Sequence, residues 1–81
     1  MSYEVEYLYR FEKNNEIVYR YLFNFITNDD ITKNVEIDVV ILDNGFKMID
    51  IVYEESDSLT DDDEDLLFYL LNRWAASTYN D

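Results

Sequence analysis

Residues 34–55, NVEIDVVILDNGFKMIDIVYEE, set the chain's only glycine between two runs rich in β-branched residues. Two such runs around an Asp-Asn-Gly read as a β-hairpin. Strand side chains alternate in direction, so a slip of one residue moves a whole apolar set to the wrong face. A two-residue Asn44-Gly45 turn would set Ile37 beside Val52 and Val39 beside Asp50, mixing apolar and charged positions. A three-residue loop, Asp43-Asn44-Gly45, ends on a left-handed position that glycine occupies without steric cost. It sets Val35 against Tyr53, Ile37 against Ile51 and Val39 against Ile49, and so makes one apolar face. The other face then carries Glu36, Asp38, Val40, Leu42, Phe46, Met48, Asp50, Val52 and Glu54, with Asp38 directly opposite Asp50. Like charges across a ladder are destabilising, which points to a role for this pair beyond stability.

Upstream, Tyr3, Val5, Tyr7, Tyr9 and Phe11 alternate with Glu4, Glu6, Leu8 and Arg10. This is strand periodicity. Ile17, Tyr19, Tyr21, Phe23 and Phe25 alternate in the same way with Val18, Arg20, Leu22 and Asn24. A three-residue loop, Lys13-Asn14-Asn15, pairs Phe11 with Ile17 and Tyr7 with Tyr21 and gathers every one of these large residues on one face. Residues 16–27 also fit a helix, because Ile17, Val18, Tyr21, Leu22, Phe25 and Ile26 recur at helical spacing; that reading would give β-α-β-β-α. Aromatic and β-branched residues suit a pleated surface, so the strand is preferred. Residues 27–33, TNDDITK, form a polar connection between the hairpins.

After ESDSLT the period changes. Thr60 is a good N-cap, with Asp63 three positions on in the place of a capping-box acid. Leu66, Leu67, Leu70, Leu71, Trp74 and Ala75 then fall on one stripe of a helix over 61–79. Such a helix is about 28 Å long at ~1.5 Å per residue, and a nine-residue strand about 30 Å at ~3.3 Å per residue. The expected fold is therefore α+β: a four-stranded antiparallel sheet of two hairpins with one C-terminal helix on one face, ββββα, in a single domain spanning 1–81.

Nineteen acidic residues against six basic ones leave a net charge of −13 in 81 residues. Small domains remain soluble with a magnitude of roughly 2 to 8, so this excess points to recognition. Such a surface is repelled by phosphates and anionic membranes and attracted to basic grooves, including those that hold nucleic acid. The chain has no cysteine and no histidine, which excludes disulfide, thiolate and imidazole chemistry. The amino terminus lacks the basic and apolar regions of a signal peptide, and no apolar run approaches the ~20 residues that span a bilayer. The expectation is a cytoplasmic protein that binds neither nucleic acid nor membrane directly and has no cofactor.

Glu54, Glu55, Asp57, Asp61, Asp62, Asp63, Glu64 and Asp65 place eight carboxylates in twelve residues. Acids in a first helical turn complement the helix dipole, and five in succession exceed that need. The run lacks the glycine and the spaced glutamate of an EF-hand loop, so no metal site is expected. Asp38 with Asp50 could in principle exchange protons, yet an open sheet offers no water-excluding pocket and no nucleophile–base pair; the chain does not read as an enzyme. The tyrosines read as core. Leu8, Val18, Leu22, Val40, Leu42, Phe46, Met48 and Val52, interspersed with Glu4, Glu6, Glu12, Glu36, Asp38, Asp50 and Glu54, make an outer sheet face that reads either as an interaction surface or as half-buried residues that only satisfy strand propensity. Carboxylates two residues apart on a strand lie about 6.6 Å apart, and DNA offers one charge per ~3.4 Å of each strand. The candidate partner-binding residues are therefore Glu36, Asp38, Asp50, Glu54, Glu55, Asp57, Asp61, Asp62, Asp63, Glu64 and Asp65.

In size, charge, absence of cysteine and sheet-plus-helix plan, the chain resembles the small acidic proteins that phages and mobile elements direct against host defences, among them anti-CRISPR proteins and other DNA mimics. The resemblance implies that carboxylates occupy the DNA-binding or PAM-reading groove of a host nuclease in the host cytoplasm. An immunity protein against a basic nuclease toxin shares the same physics. A non-enzymatic regulator that forms a homodimer through the outer sheet face is the reading from a different class.

Overall fold

The computed structural model describes residues 3–41 and 47–79. Four strands, β1 (Tyr3–Lys13), β2 (Glu16–Ile26), β3 (Thr32–Ile41) and β4 (Lys47–Val52), form one antiparallel sheet in the order β1-β2-β3-β4. A 3₁₀ turn over Tyr53–Glu55 leads to the single helix, α1 (Asp61–Tyr79). The fold is thus the ββββα meander; residues 16–26 are strand, and the β-α-β-β-α alternative is discarded.

The core lies between α1 and the middle of the sheet. Phe23 and Phe25 of β2 and Val35, Ile37 and Val39 of β3 are sealed beneath Leu67, Leu70, Leu71, Trp74 and Ala75. Trp74 meets the Tyr21 and Phe23 rings edge-on, at centroid distances of 5.0 and 6.5 Å. Such rings bury large area with few rotors, which suits a chain this short. The helix begins where its cap is: the Asp63 N–H donates to Thr60 Oγ1 at 3.2 Å, and the Thr60 N–H donates to Asp63 Oδ2 at 3.2 Å. Two N–H groups that the helix itself cannot satisfy are thereby paired.

The second hairpin has the register read from its alternation: Ile37 opposite Ile51, Val39 opposite Ile49 and Asp38 opposite Asp50. Its Asp43-Asn44-Gly45 loop, with Leu42 and Phe46 beside it, lies outside the described residues, as does the Met48 side chain. The expected Val35–Tyr53 pair does not form. β4 ends at Val52, and Tyr53 turns out of the sheet to begin the 3₁₀ turn.

The first hairpin corrects the sequence reading. Its loop has two residues, because Lys13 pairs with Glu16. Asn14 and Asn15 both take left-handed conformations, with φ of 53° and 65°, the pattern of a type I′ turn, whose twist matches that of the flanking strands. Phe11 consequently faces Val18 instead of Ile17, while Tyr7 still faces Tyr21. The odd residue is absorbed between them by a β-bulge, where Tyr7 and Tyr9 oppose the adjacent Tyr21 and Arg20. A bulge moves the rest of its strand one step in the alternation. Tyr9 and Phe11 therefore leave the helix-covered face for the outer one, and Arg10 and Glu12 pass the other way, opposite Tyr19 and Ile17.

The residues joining the two hairpins form a hairpin loop of their own. The Asp30 N–H donates to the Thr27 carbonyl at 3.0 Å, the Thr27 N–H to the Ile31 carbonyl at 2.8 Å, and Asp30 has φ of 62°. Buried Thr27 accepts the Ile31 N–H on Oγ1 at 3.2 Å. The three-residue turn with a left-handed third position, expected at Lys13–Asn15, occurs here at residues 28–30.

Candidate functional site

The helix covers one face of the sheet, and the opposite face is organised in cross-strand rows set by the registers. Glu4, Asn24 and Asn34 form one row; Glu6, Leu22, Glu36 and Val52 the next; Tyr9, Arg20, Asp38 and Asp50 the third; Phe11, Val18 and Val40 the fourth. Glu4, Glu6 and Asp50 are exposed, and Glu36 is half-buried. Val18 and Val40 are only 5% exposed. The apolar centre of this face is therefore less available than alternation suggests, because the bulge brings Phe11 beside it.

Arg20 is the residue that sequence reasoning left without a role. Its Nε donates to Asp38 Oδ1 at 2.7 Å and its Nη2 to Asp38 Oδ2 at 2.9 Å, a bidentate pair with side-chain exposures of 15% and 20%. Its Nη1 donates to the Tyr9 hydroxyl at 2.9 Å, and the guanidinium lies 5.6 Å from the Tyr9 ring centroid and 5.3 Å from that of Phe11. Donation to Asp38 raises the Arg20 pKa above its ordinary value, against the opposing effect of burial. The Asp38–Asp50 juxtaposition is thus real, and Asp38 has a countercharge on its other side. The signal that could have located Arg20 was the residue 28–30 turn, which sets residue 20 opposite residue 38.

The acids of the 54–65 segment divide by task. Asp57 accepts the Asn34 N–H on Oδ2 at 2.8 Å, and its own N–H donates to the Asn34 carbonyl at 3.0 Å, which ties the segment to the end of β3. Lys33 Nζ donates to the Ser58 carbonyl at 2.8 Å. Asp63 is buried in the helix cap. Glu64 accepts the Tyr53 hydroxyl at 3.2 Å; desolvation first, and then this bond to a carboxylate, pushes the Tyr53 hydroxyl pKa up. Glu54, Asp61, Asp62 and Asp65 are exposed, and the Glu55 side chain lies outside the described residues.

The candidate residues accordingly form two groups. Glu36, Asp38 and Asp50 share the outer sheet face with Glu4 and Glu6, whereas Asp61–Asp65 belong to the helix layer behind it. The link is Asn34, which ends the first outer row and holds Asp57.

Among the described residues no group of three or more acids is arranged to hold a metal ion, and no helix is long and apolar enough to cross a membrane. No protein-family model, curated protein or solved structure matches this chain.

Proposed function

We propose that this protein is an acidic, non-catalytic inhibitor that occupies the basic nucleic-acid-binding groove of a host defence nuclease, in the manner of an anti-CRISPR or anti-restriction DNA mimic. The observation that supports the reading is the uncovered sheet face, where Glu4, Glu6 and Asp50 stand exposed around a firm apolar centre. The exposed Asp61, Asp62 and Asp65 extend negative charge to the helix layer. Arginines that grip phosphates grip carboxylates equally well, since their planar fork matches both. Inhibition follows from occupancy: the groove cannot hold DNA and a rigid polyanion together. Electrostatic complementarity speeds association and excludes wrong partners.

The test uses variants that spare structural acids. Asp38, Asp57 and Asp63 are kept, because they hold Arg20, Asn34 and the helix cap. Glu4, Glu6, Asp50, Asp61, Asp62 and Asp65 are converted to their amides. Binding to a purified basic nuclease is expected to compete with DNA, to weaken at least about tenfold between about 50 and about 500 mM NaCl, and to weaken at least as much in the neutralised variant. Unchanged affinity in that variant, or a tight homodimer in light scattering with no affinity for basic partners, would overturn the reading.

A further inference from the structure

The side of the sheet that faces α1 is almost free of acids. Among the described residues of the four strands it carries one carboxylate, Glu12, with Arg10 two positions away on the same side. The other strand acids, Glu4, Glu6, Glu16, Glu36, Asp38 and Asp50, face away, and α1 has no acid after Asp65. The helix does not cover this side to its end. It seals Phe23, Phe25, Val35, Ile37 and Val39. Beyond them, at the end of the sheet that holds the Asn14-Asn15 turn, Tyr7, Ile17 and Ile41 are 51, 48 and 43% exposed. None of the three, nor half-buried Tyr19, belongs to the core cluster. The four are continuous: the Tyr7 and Tyr19 ring centroids lie 6.5 Å apart, Ile17 shares its side of β2 with Tyr19, and Ile41 shares its side of β3 with Val39, which pairs with Tyr19. Arg10 and Glu12 flank them on β1, opposite Tyr19 and Ile17. The protein thus buries two valines within its acidic face and leaves larger apolar side chains open on its least acidic one.

We propose that this patch is where two copies of the chain meet, as a two-fold dimer. The patch is complementary to itself, because it is apolar, nearly neutral, and bordered by one cation and one anion on the same strand. An isologous contact uses the same surface twice, so Arg10 of each copy is set against Glu12 of the other while Ile17 and Ile41 leave water. A basic client, drawn to carboxylates elsewhere on the molecule, finds no surplus of them here. Two bodies of net charge −13 repel wherever their acids approach, and the patch is the side on which they approach least. With so few residues the contact belongs to the small, transient class of interface. The proposal does not depend on the inhibitor reading and is compatible with it, because both outer faces stay open on opposite sides of the dimer.

The experiment is sedimentation equilibrium of the full chain at up to about 1 mM protein, in about 50 and about 500 mM NaCl. The dimer is expected to tighten at least about threefold in the higher salt, which screens the repulsion between the copies. Binding to a basic client weakens with salt, so the sign of the effect separates the two contacts. Ile17→Lys and Ile41→Lys are each expected to weaken the dimer at least about tenfold, although each reduces the net charge that opposes association. Ile26, comparably exposed but on the outer face, serves as the control: Ile26→Lys makes the same charge change and is expected to leave the dimer at least as tight as the native one. In the isotope-labelled native protein, concentration is expected to shift the amides of Arg10, Ile17, Tyr19 and Ile41 and to leave those of Glu4, Glu6 and Asp50 in place; this readout decides if a lysine variant misfolds. A monomer at about 1 mM in both salts, a dimer that survives Ile17→Lys and Ile41→Lys, or shifts centred on Glu6, Leu22 and Asp50 would overturn the proposal.

Discussion

Arg20 determines what the most conspicuous carboxylate pair of the sheet can be. Taken alone, Asp38 opposite Asp50 is a repulsive juxtaposition; with Arg20 fastened to Asp38 by two hydrogen bonds, the row is a cation between an aromatic shelf and two acids. The pair is partly shielded from water, so it is stronger than the exposed ion pairs whose net value is about zero to 1 kcal/mol. Arg20→Gln is expected to cost about 1–2 kcal/mol in chemical denaturation. Asp50→Asn in the native background should change stability by less than about 0.3 kcal/mol, whereas in the Arg20→Gln background it should restore about 0.5 kcal/mol, since Asp38 and Asp50 then face each other without a countercharge. Equal effects of Asp50→Asn in both backgrounds would show that Arg20 does not screen the pair. At the helix entrance, Thr60→Ala removes one half of a reciprocal cap and is expected to lower stability by about 1 kcal/mol, a fall of about 4–8 °C in Tm for a domain of this size. Neither Thr60 nor Asp63 needed the structure to be recognised, because a cap is a local motif; Arg20 did, because its partner is on another strand.

The first hairpin shows why a local element can be right in kind and wrong in register. Asn14 and Asn15 allow a two-residue or a three-residue turn, and the alternation from Tyr3 to Phe11 favours the latter. The chain takes the two-residue turn and inserts a bulge beside Leu8, because a type I′ turn matches the twist of the flanking strands and the bulge restores the Tyr7–Tyr21 ring contact. Asn15 therefore occupies a left-handed position that glycine fills more easily. Asn15→Gly is expected to stabilise the protein by about 0.5–1 kcal/mol, and Asn15→Val to destabilise it by at least about 1 kcal/mol. A neutral valine in thermal unfolding would argue against the I′ turn. The second hairpin was legible in its register, Ile37 opposite Ile51 and Val39 opposite Ile49, but not in its extent, since Asp43-Asn44-Gly45 allows only one register that keeps the apolar residues together while nothing local ends β4 at Val52 before the expected Val35–Tyr53 pair. Helix α1 was equally legible, because its leucine stripe and its cap agree on where it starts.

Across the whole molecule, a net charge of −13 works against compaction, while the Arg20–Asp38 pair and the acids at the helix entrance work for it. Salt screens both, and the number of like charges decides the sign: raising NaCl from about 0.02 to about 0.5 M is expected to raise Tm by several degrees. A fall in Tm would mean that local attractions outweigh the general repulsion. The strand and helix content, the single core, the second-hairpin register and the helix cap could all be derived from the chain itself, because each follows from side-chain period and turn chemistry over a few neighbouring residues. Strand order, the bulge that carries Tyr9 and Phe11 to the outer face, the Arg20–Asp38 fork and the acid-poor patch around Ile17 were decided only in three dimensions. Each depends on which strand lies beside which, and that is set by how Phe23, Phe25 and Trp74 pack with the aliphatic residues between sheet and helix, a sum of contacts that no local stretch contains.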